Sequence, residues 1–190
     1  DMPAILEIAE HHNLAVIEDA AHAVGASLEG RALGAWGKLG CYSFFANKNM
    51  TTAEGGMLVT DDDELAEIIR ILRSHGMTTL TWDRHQGHAS TYDVVDLGYN
   101  YRIDELRSAL GRVQLKKVTA GNRRRAQLTA LYREKCASFT PQITVPFGQQ
   151  RGQSSYHIMP VLLPSDADKR HFMDAMKAKG IQVSWHYPPV

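Results

Sequence analysis

Leu14-Ala15-Val16-Ile17-Glu18-Asp19-Ala20-Ala21-His22 decides how the rest of the chain is read. Leu14 to Ile17 is an uninterrupted apolar run, the pattern of a short strand buried on both faces of a sheet. Upstream, Ala4 to His12 carries Ile5, Leu6, Ile8 and Ala9 at helical spacing, with Asp1 available as a cap and His12-Asn13 to close the helix. A helix followed by a doubly buried strand is the end of a βαβ unit. Open α/β sheets bind ligands at the carboxyl ends of their strands, which is where Asp19 falls.

Outward from that strand the pattern stays mixed. Gly25 to Gly40 is glycine-rich and reads as loops and short turns, Cys41 to Phe45 as a second strand and Met57 to Thr60 as a third. Asp61-Asp62-Asp63 caps a helix through about Arg73, with Leu65, Ile68, Ile69 and Leu72 as its apolar stripe. His75 to Gly98 has no clear periodicity, and a loop of that length in a compact domain is usually functional or disordered. Ile103 to Val118 and Asn122 to Cys136 read as two nearly continuous helices. Pro141 to Pro146 marks a shift in composition. Tyr156 to Leu163 reads as a strand, Asp166 to Lys179 as an amphipathic helix ended by Gly180, and Ile181 to His186 as a further strand. The expected organisation is a domain over 1–118 and a second over 119–190, with the boundary inside the long helical stretch.

The totals exclude several classes. The chain is 44% hydrophobic and 22% charged, enough apolar material for a core. Lys+Arg 21 balances Asp+Glu 21, so no net charge draws it to nucleic acid or an anionic membrane. Its two cysteines, Cys41 and Cys136, have no short spacing, which argues against a disulfide scaffold or zinc site and fits a reduced, cytoplasmic compartment. No apolar run approaches the ~20 residues that span a bilayer. The opening from Asp1-Met2-Pro3 shows no charged n-region and apolar h-region and so does not read as a signal peptide, and a start at Asp is expected of a piece of a longer chain.

The chemistry centres on Lys48, between Ser43-Phe44-Phe45-Ala46-Asn47 and Asn49-Met50-Thr51-Thr52-Ala53-Glu54-Gly55-Gly56. One acid at a strand end and one lysine in a later polar turn are what a pyridoxal phosphate (PLP) enzyme requires. The amine forms a Schiff base with the cofactor aldehyde, and the carboxylate keeps the pyridine nitrogen protonated. Ser43 offers a hydroxyl to a phosphate, and His22, three residues after Asp19, is placed to touch the same ring. Each residue alone has a plainer reading: Asp19 as a helix cap, Lys48 as a solvated loop lysine, His22 as a packed imidazole. Asp19 on a ribose hydroxyl is weak without G-x-G-x-x-G before it. His85 and His88 near Asp83 lack a metal-binding frame. No G-x-S-x-G elbow supports a hydrolase. Arg123-Arg124-Arg125 reads as a solvated helix face or a dimer contact.

Taken together, Ile17-Glu18-Asp19-Ala20-Ala21-His22-Ala23, Ser43-Phe44 and Lys48-Asn49 with Thr51-Thr52-Ala53-Glu54-Gly55-Gly56 resemble the DegT/StrS family of PLP-dependent sugar aminotransferases. Leu72-Arg73-Ser74-His75-Gly76, Leu97-Gly98-Tyr99-Asn100-Tyr101-Arg102-Ile103, Asn122-Arg123-Arg124-Arg125 and His186-Tyr187-Pro188-Pro189 extend the resemblance over the whole chain, in order. It implies an aspartate-aminotransferase-like fold (fold type I), here the C-terminal half of the large PLP-binding domain and part of a small C-terminal α+β domain. It implies that Asp19 holds the pyridine nitrogen, His22 lies near the 3′-oxygen, Ser43 binds the phosphate and Lys48 is the Schiff-base residue and proton shuttle. It implies a homodimer in which Asn100, with the 75–98 loop, reaches the neighbouring subunit's cofactor.

The implied reaction moves an amino group from an amino acid, glutamate, to a keto-sugar linked to a nucleotide. A keto-cyclitol acceptor, a dehydratase and a catalytically silent PLP-binding regulator are the alternatives; relatives acting as dehydratases carry histidine where Lys48 stands. Two departures from the pattern stand out. Ala53 replaces a glycine, and the chain lacks the family's N-terminal segment, with its phosphate-binding Gly-Thr pair and ring-stacking aromatic, as well as its last elements.

Overall fold

The computed structural model describes residues 1–78, 91–149 and 151–185. In order come α1 (Met2–His11), β1 (Ile17–Asp19), β2 (Ser27–Leu28), β3 (Arg31–Ala32), β4 (Leu39–Ser43), β5 (Gly56–Val59), α2 (Asp63–Leu72), α3 (Glu105–Leu115), α4 (Val118–Ala137), β6 (Gly152–Gln153) and α5 (Lys169–Ala178). Four helix starts are set by side-chain caps, two of them expected from the sequence. Asp1, Asp62, Asp104 and Asp168 each accept a backbone N–H of the first turn of α1, α2, α3 and α5. Residues 1–127 with 150–157 pack as one compact unit, and 128–149 with 158–190 as a second; the division lies inside α4.

In the first unit, β1, β4 and β5 form a sheet in that order. β1 and β4 run parallel, Ile17 opposite Leu39 and Asp19 opposite Cys41. β4 and β5 run antiparallel, ending with Ser43 opposite Gly56. The first strand begins later than its apolar run, because the Leu14 amide donates to Ala9 O at 2.8 Å and so closes α1. Burial on both faces is not observed. Leu14 is 62% and Ile17 63% exposed, and the buried residue of β1 is Glu18.

Glu18 is a buried acid with three backbone donors. Its Oε2 accepts from Gly34 N at 2.7 Å, and its Oε1 accepts from Trp36 N at 2.5 Å and Gly37 N at 2.7 Å. A carboxylate removed from water must be satisfied in this way. The clasp folds residues 33–37 back onto β1 and delivers the chain into β4 beside it. Gly40 makes the fit possible, since a Cβ there would stand 1.8 Å from Gly34 O. Within the segment expected to be loop, β2 and β3 form a small hairpin through Glu29 and Gly30, both with positive φ, and β6 pairs on the other side of β2. Phe44, Met50 and Val118 make the buried apolar cluster, with Val24 and Tyr42 packed against it.

In the second unit, Arg133 Nη2 donates to Pro146 O at 2.7 Å, and Thr144 and Leu162 pair as an isolated antiparallel bridge. The strands expected over Tyr156–Leu163 and Ile181–His186 do not form among the described residues. Tyr156 has φ 51°, and only Leu162 of the first stretch finds a ladder partner. Pro160 withholds an amide donor from the same stretch, and Pro164 follows directly after it.

The Tyr42 hydroxyl donates to Leu33 O at 2.5 Å. Burial first, and the Glu18 carboxylate second, raise its pKa above the ordinary tyrosine value. A proton held more tightly in the folded state stabilises fully below the unfolded pKa of about 10, and that contribution is lost as pH rises through the higher folded value. Tyr42→Phe should therefore flatten the alkaline loss of stability above about pH 10, measured by denaturant unfolding across pH. Identical alkaline slopes in the two proteins would contradict this.

Candidate functional site

The parallel pairing of β1 with β4 brings Asp19 and Ser43 to the same sheet edge, two strand ends side by side. Ala20 N donates to Cys41 O at 2.9 Å, carrying the pairing one residue past Asp19. Beyond Ser43 the chain makes a compact reversal: Phe44 N donates to Gly55 O at 2.8 Å, and Thr52 N donates to Phe44 O at 2.9 Å. Lys48 lies at its far end, half-buried, with its amide donating to Phe45 O at 3.0 Å. The two threonines tie this reversal internally. Thr51 Oγ1 donates to Phe44 O at 3.2 Å and accepts from Ala53 N at 3.0 Å, while buried Thr52 donates to Glu54 O at 2.7 Å.

Asp19 Oδ1 accepts from Ala21 N at 3.0 Å. Turns rather than a helix follow it, so the helix-cap reading does not apply. Ser43 Oγ accepts from Phe45 N at 3.3 Å, which leaves the hydroxyl's own proton for donation. The exposed His22 ring packs against His157 with centroids 4.1 Å apart and planes at 38°. Asn100 bridges to Ser74 just beyond α2, flanked by bonds from His75 N to Tyr99 O and from Tyr101 N to Arg73 O. His85, His88 and Asp83, like His186 to Pro189, lie outside the described residues. Among the described residues no cluster of metal-ligating side chains occurs, and no helix is long and apolar enough to cross a membrane.

A polar network behind Lys48 was not anticipated from the sequence. Asn49, the next residue, donates through Nδ2 to Ser155 O at 2.7 Å and Asn122 Oδ1 at 3.2 Å. Its Oδ1 lies 3.0 Å from His157 Nδ1. Asn122 Nδ2 donates to Val24 O at 3.0 Å, and Ser155 Oγ donates to His22 O at 2.5 Å. Arg125 donates to Asn122 Oδ1 and, at 3.4 Å, to Ser155 O. The arginine run is therefore not one solvated face. Arg123 and Arg124 are exposed, whereas Arg125 is half-buried in this network, and burial lowers its pKa.

The chemistry of the set fits PLP: the amine of a half-buried lysine for an aldehyde, a carboxylate for a pyridine nitrogen, and a hydroxyl for a phosphate, all on segments leaving one sheet edge. The profile of the DegT/DnrJ/EryC1/StrS aminotransferase family matches residues 1–190, and the chain belongs to that family, whose aminotransferases depend on PLP. It is 36% identical over 195 residues to the spore coat polysaccharide biosynthesis protein SpsC of Bacillus subtilis, covering 100% of this chain and 50% of SpsC. Among solved structures it resembles Helicobacter pylori PseC, an aminotransferase involved in the biosynthesis of pseudoaminic acid (TM-score 0.87, 29% identity, 100% of this chain and 49% of that one). It also resembles Spr1654 of Streptococcus pneumoniae in its PLP form (TM-score 0.82, 26% identity, 95% and 46%). These likenesses establish fold type I. The chain spans about half the length of the curated relatives it matches.

Ala53 carries the strain of the Lys48 reversal, with φ at 68°. A glycine would adopt that φ without the Cβ penalty. A left-handed alanine costs about 1–2 kcal/mol, partly offset by the greater chain entropy that glycine loses on folding. Ala53→Gly should stabilise the protein by roughly 0.5–1 kcal/mol, a rise of a few degrees in Tm. A lowered Tm would show that this turn is not left-handed at residue 53.

Proposed function

We propose that the full-length protein is a PLP-dependent aminotransferase of amino-sugar or polysaccharide biosynthesis. In this reading it takes the amino group from glutamate and gives it to a keto-sugar carried on a nucleotide. The observation that carries this reading is the arrival of Asp19, Ser43 and the Lys48 reversal at one sheet edge, in a chain of this family. When bound, PLP supplies an aldehyde for the Lys48 amine and a ring that draws electrons from the carbon being deprotonated. Lys48 Nζ takes the proton from the donor's Cα and returns it on the other side of the exchange. The Asp19 carboxylate keeps a proton on the ring nitrogen, His22 orients the ring from its 3′-oxygen side, and the Ser43 hydroxyl donates to the phosphate.

The protein acts, in this proposal, as a cytoplasmic homodimer in which Asn100 serves the partner's cofactor. Its segment is held at the end of α2 by the bridge to Ser74 and the flanking backbone bonds, which gives it a fixed place from which to act. The apolar surface around it supports that assignment: Leu97 is 79%, Tyr101 73% and Leu106 85% exposed, a surface suited to cover by a second copy.

Lys48→Ala in the full-length protein should abolish the visible absorbance band of lysine-bound PLP and all glutamate consumption with a panel of nucleotide-linked keto-sugars. A persisting band would remove Lys48 from its role. A wild-type band with no turnover on any keto-sugar would instead favour a silent PLP-binding protein.

A further inference from the structure

The hydrogen-bond network beside Lys48 fixes its own polarity. Val24 O and Ser155 O are carbonyls and can only accept. Asn122 Nδ2 donates to Val24 O at 3.0 Å, so its Oδ1 is the atom that faces Asn49 and Arg125; the arginine, which can only donate, requires the same orientation. Asn49 Nδ2 then donates to that oxygen and to Ser155 O. The Asn49 amide cannot flip without setting its oxygen against two acceptors, Asn122 Oδ1 and Ser155 O. Its Oδ1 is therefore the atom 3.0 Å from His157 Nδ1, and an amide oxygen accepts. His157 Nδ1 must carry a proton.

That proton has a mechanical consequence. The bond to Asn49 fixes the His157 ring, and His22 packs on that ring at 4.1 Å. The His22 backbone is pinned independently, by the Ser155 hydroxyl. Both the main chain and the ring of His22 are thus held by residues 155–157, and residues 155 and 157 are both bonded to the residue that follows Lys48.

We propose that His157 is a positioning residue of the cofactor site: held in its Nδ1–H form by Asn49, it sets the orientation of the His22 imidazole. The proposal rests on the reading that His22 lies beside the cofactor ring. It links the lysine turn and the turn after β1, so that the amine and the ring contact are registered to one another by one network.

Three measurements on the full-length protein test it. In cofactor-free wild type, long-range proton–nitrogen NMR should show His157 protonated at Nδ1; an unprotonated Nδ1 overturns the network's polarity and the proposal. In cofactor-free His157→Ala, the His22 side-chain resonances should move while those of His171 stay; unmoved His22 resonances overturn it. With PLP added, His157→Ala should weaken PLP binding by about 10–100-fold and change the circular dichroism of the bound cofactor, the scale at which residues orienting a site's ligands act. His157→Phe keeps a ring against His22 but cannot donate to Asn49, and should fall between alanine and wild type. Either variant that folds with a wild-type Tm and matches wild type in both affinity and dichroism overturns the proposal. A wild type that binds no PLP would sink the aminotransferase reading, while the two cofactor-free measurements still decide how His157 holds His22.

Discussion

The buried carboxylate of Glu18 is the constraint on which the arrangement rests. It replaces water with three backbone amides from residues 34–37, and each bond is charge-assisted. Losing the carboxylate would leave three donors facing a cavity, at about 1–3 kcal/mol for each donor left buried and unpaired. By pinning the incoming loop to β1 it puts β4 beside β1 in parallel register. That register turns two separate strand ends into one edge, with Asp19 from one strand and Ser43 from the other. The clasped acid, Glu18, and the acid proposed to meet the cofactor, Asp19, are adjacent, and the alternation of a strand sends one inward and the other outward.

The Lys48 reversal hangs from that edge. Its closure rests on Phe44, whose carbonyl accepts from both Thr51 and Thr52 and whose ring joins the apolar cluster with Met50 and Val118. The turn is therefore anchored by burial, worth about 1.5–3 kcal/mol for a side chain such as Phe44, as well as by hydrogen bonds. Asn49 extends this anchoring to the start of α4 and to residues 155–157. Rigid support behind an exposed, chemically active face is what a site needs when it must hold a small heterocycle at both ends.

How much of this could be read from the sequence depended on distance along the chain. The placement of Asp19 and Ser43 at strand ends was legible because each closes a local apolar pattern, while the roles proposed for them and for Lys48 come from the resemblance. The helices were legible from their apolar spacing, and two of them also from the aspartates at 1 and 61–63, whereas the caps at Asp104 and Asp168 emerged from the structure. Glu18 was read as part of the same acidic strand end, since nothing in the sequence separates a clasped carboxylate from a solvated one. His157 was not visible at all: it lies 108 residues from Asn49, inside a stretch that reads as strand yet forms none. Arg125 was hidden in a run of three arginines, of which helical geometry turns only that one inward. The apolar run at Leu14–Ile17 misled in the opposite sense, because its composition reports burial that the described residues do not supply.

The central claim is that this sheet edge is a PLP site with Lys48 as its covalent residue. The most direct measurement is borohydride reduction of the PLP-loaded full-length protein, followed by peptide mapping of the reduced, stable pyridoxyl-lysine. The account predicts the modification on Lys48, in stoichiometric amount and on no other lysine. Labelling at a different lysine, or spread thinly over many, would contradict it.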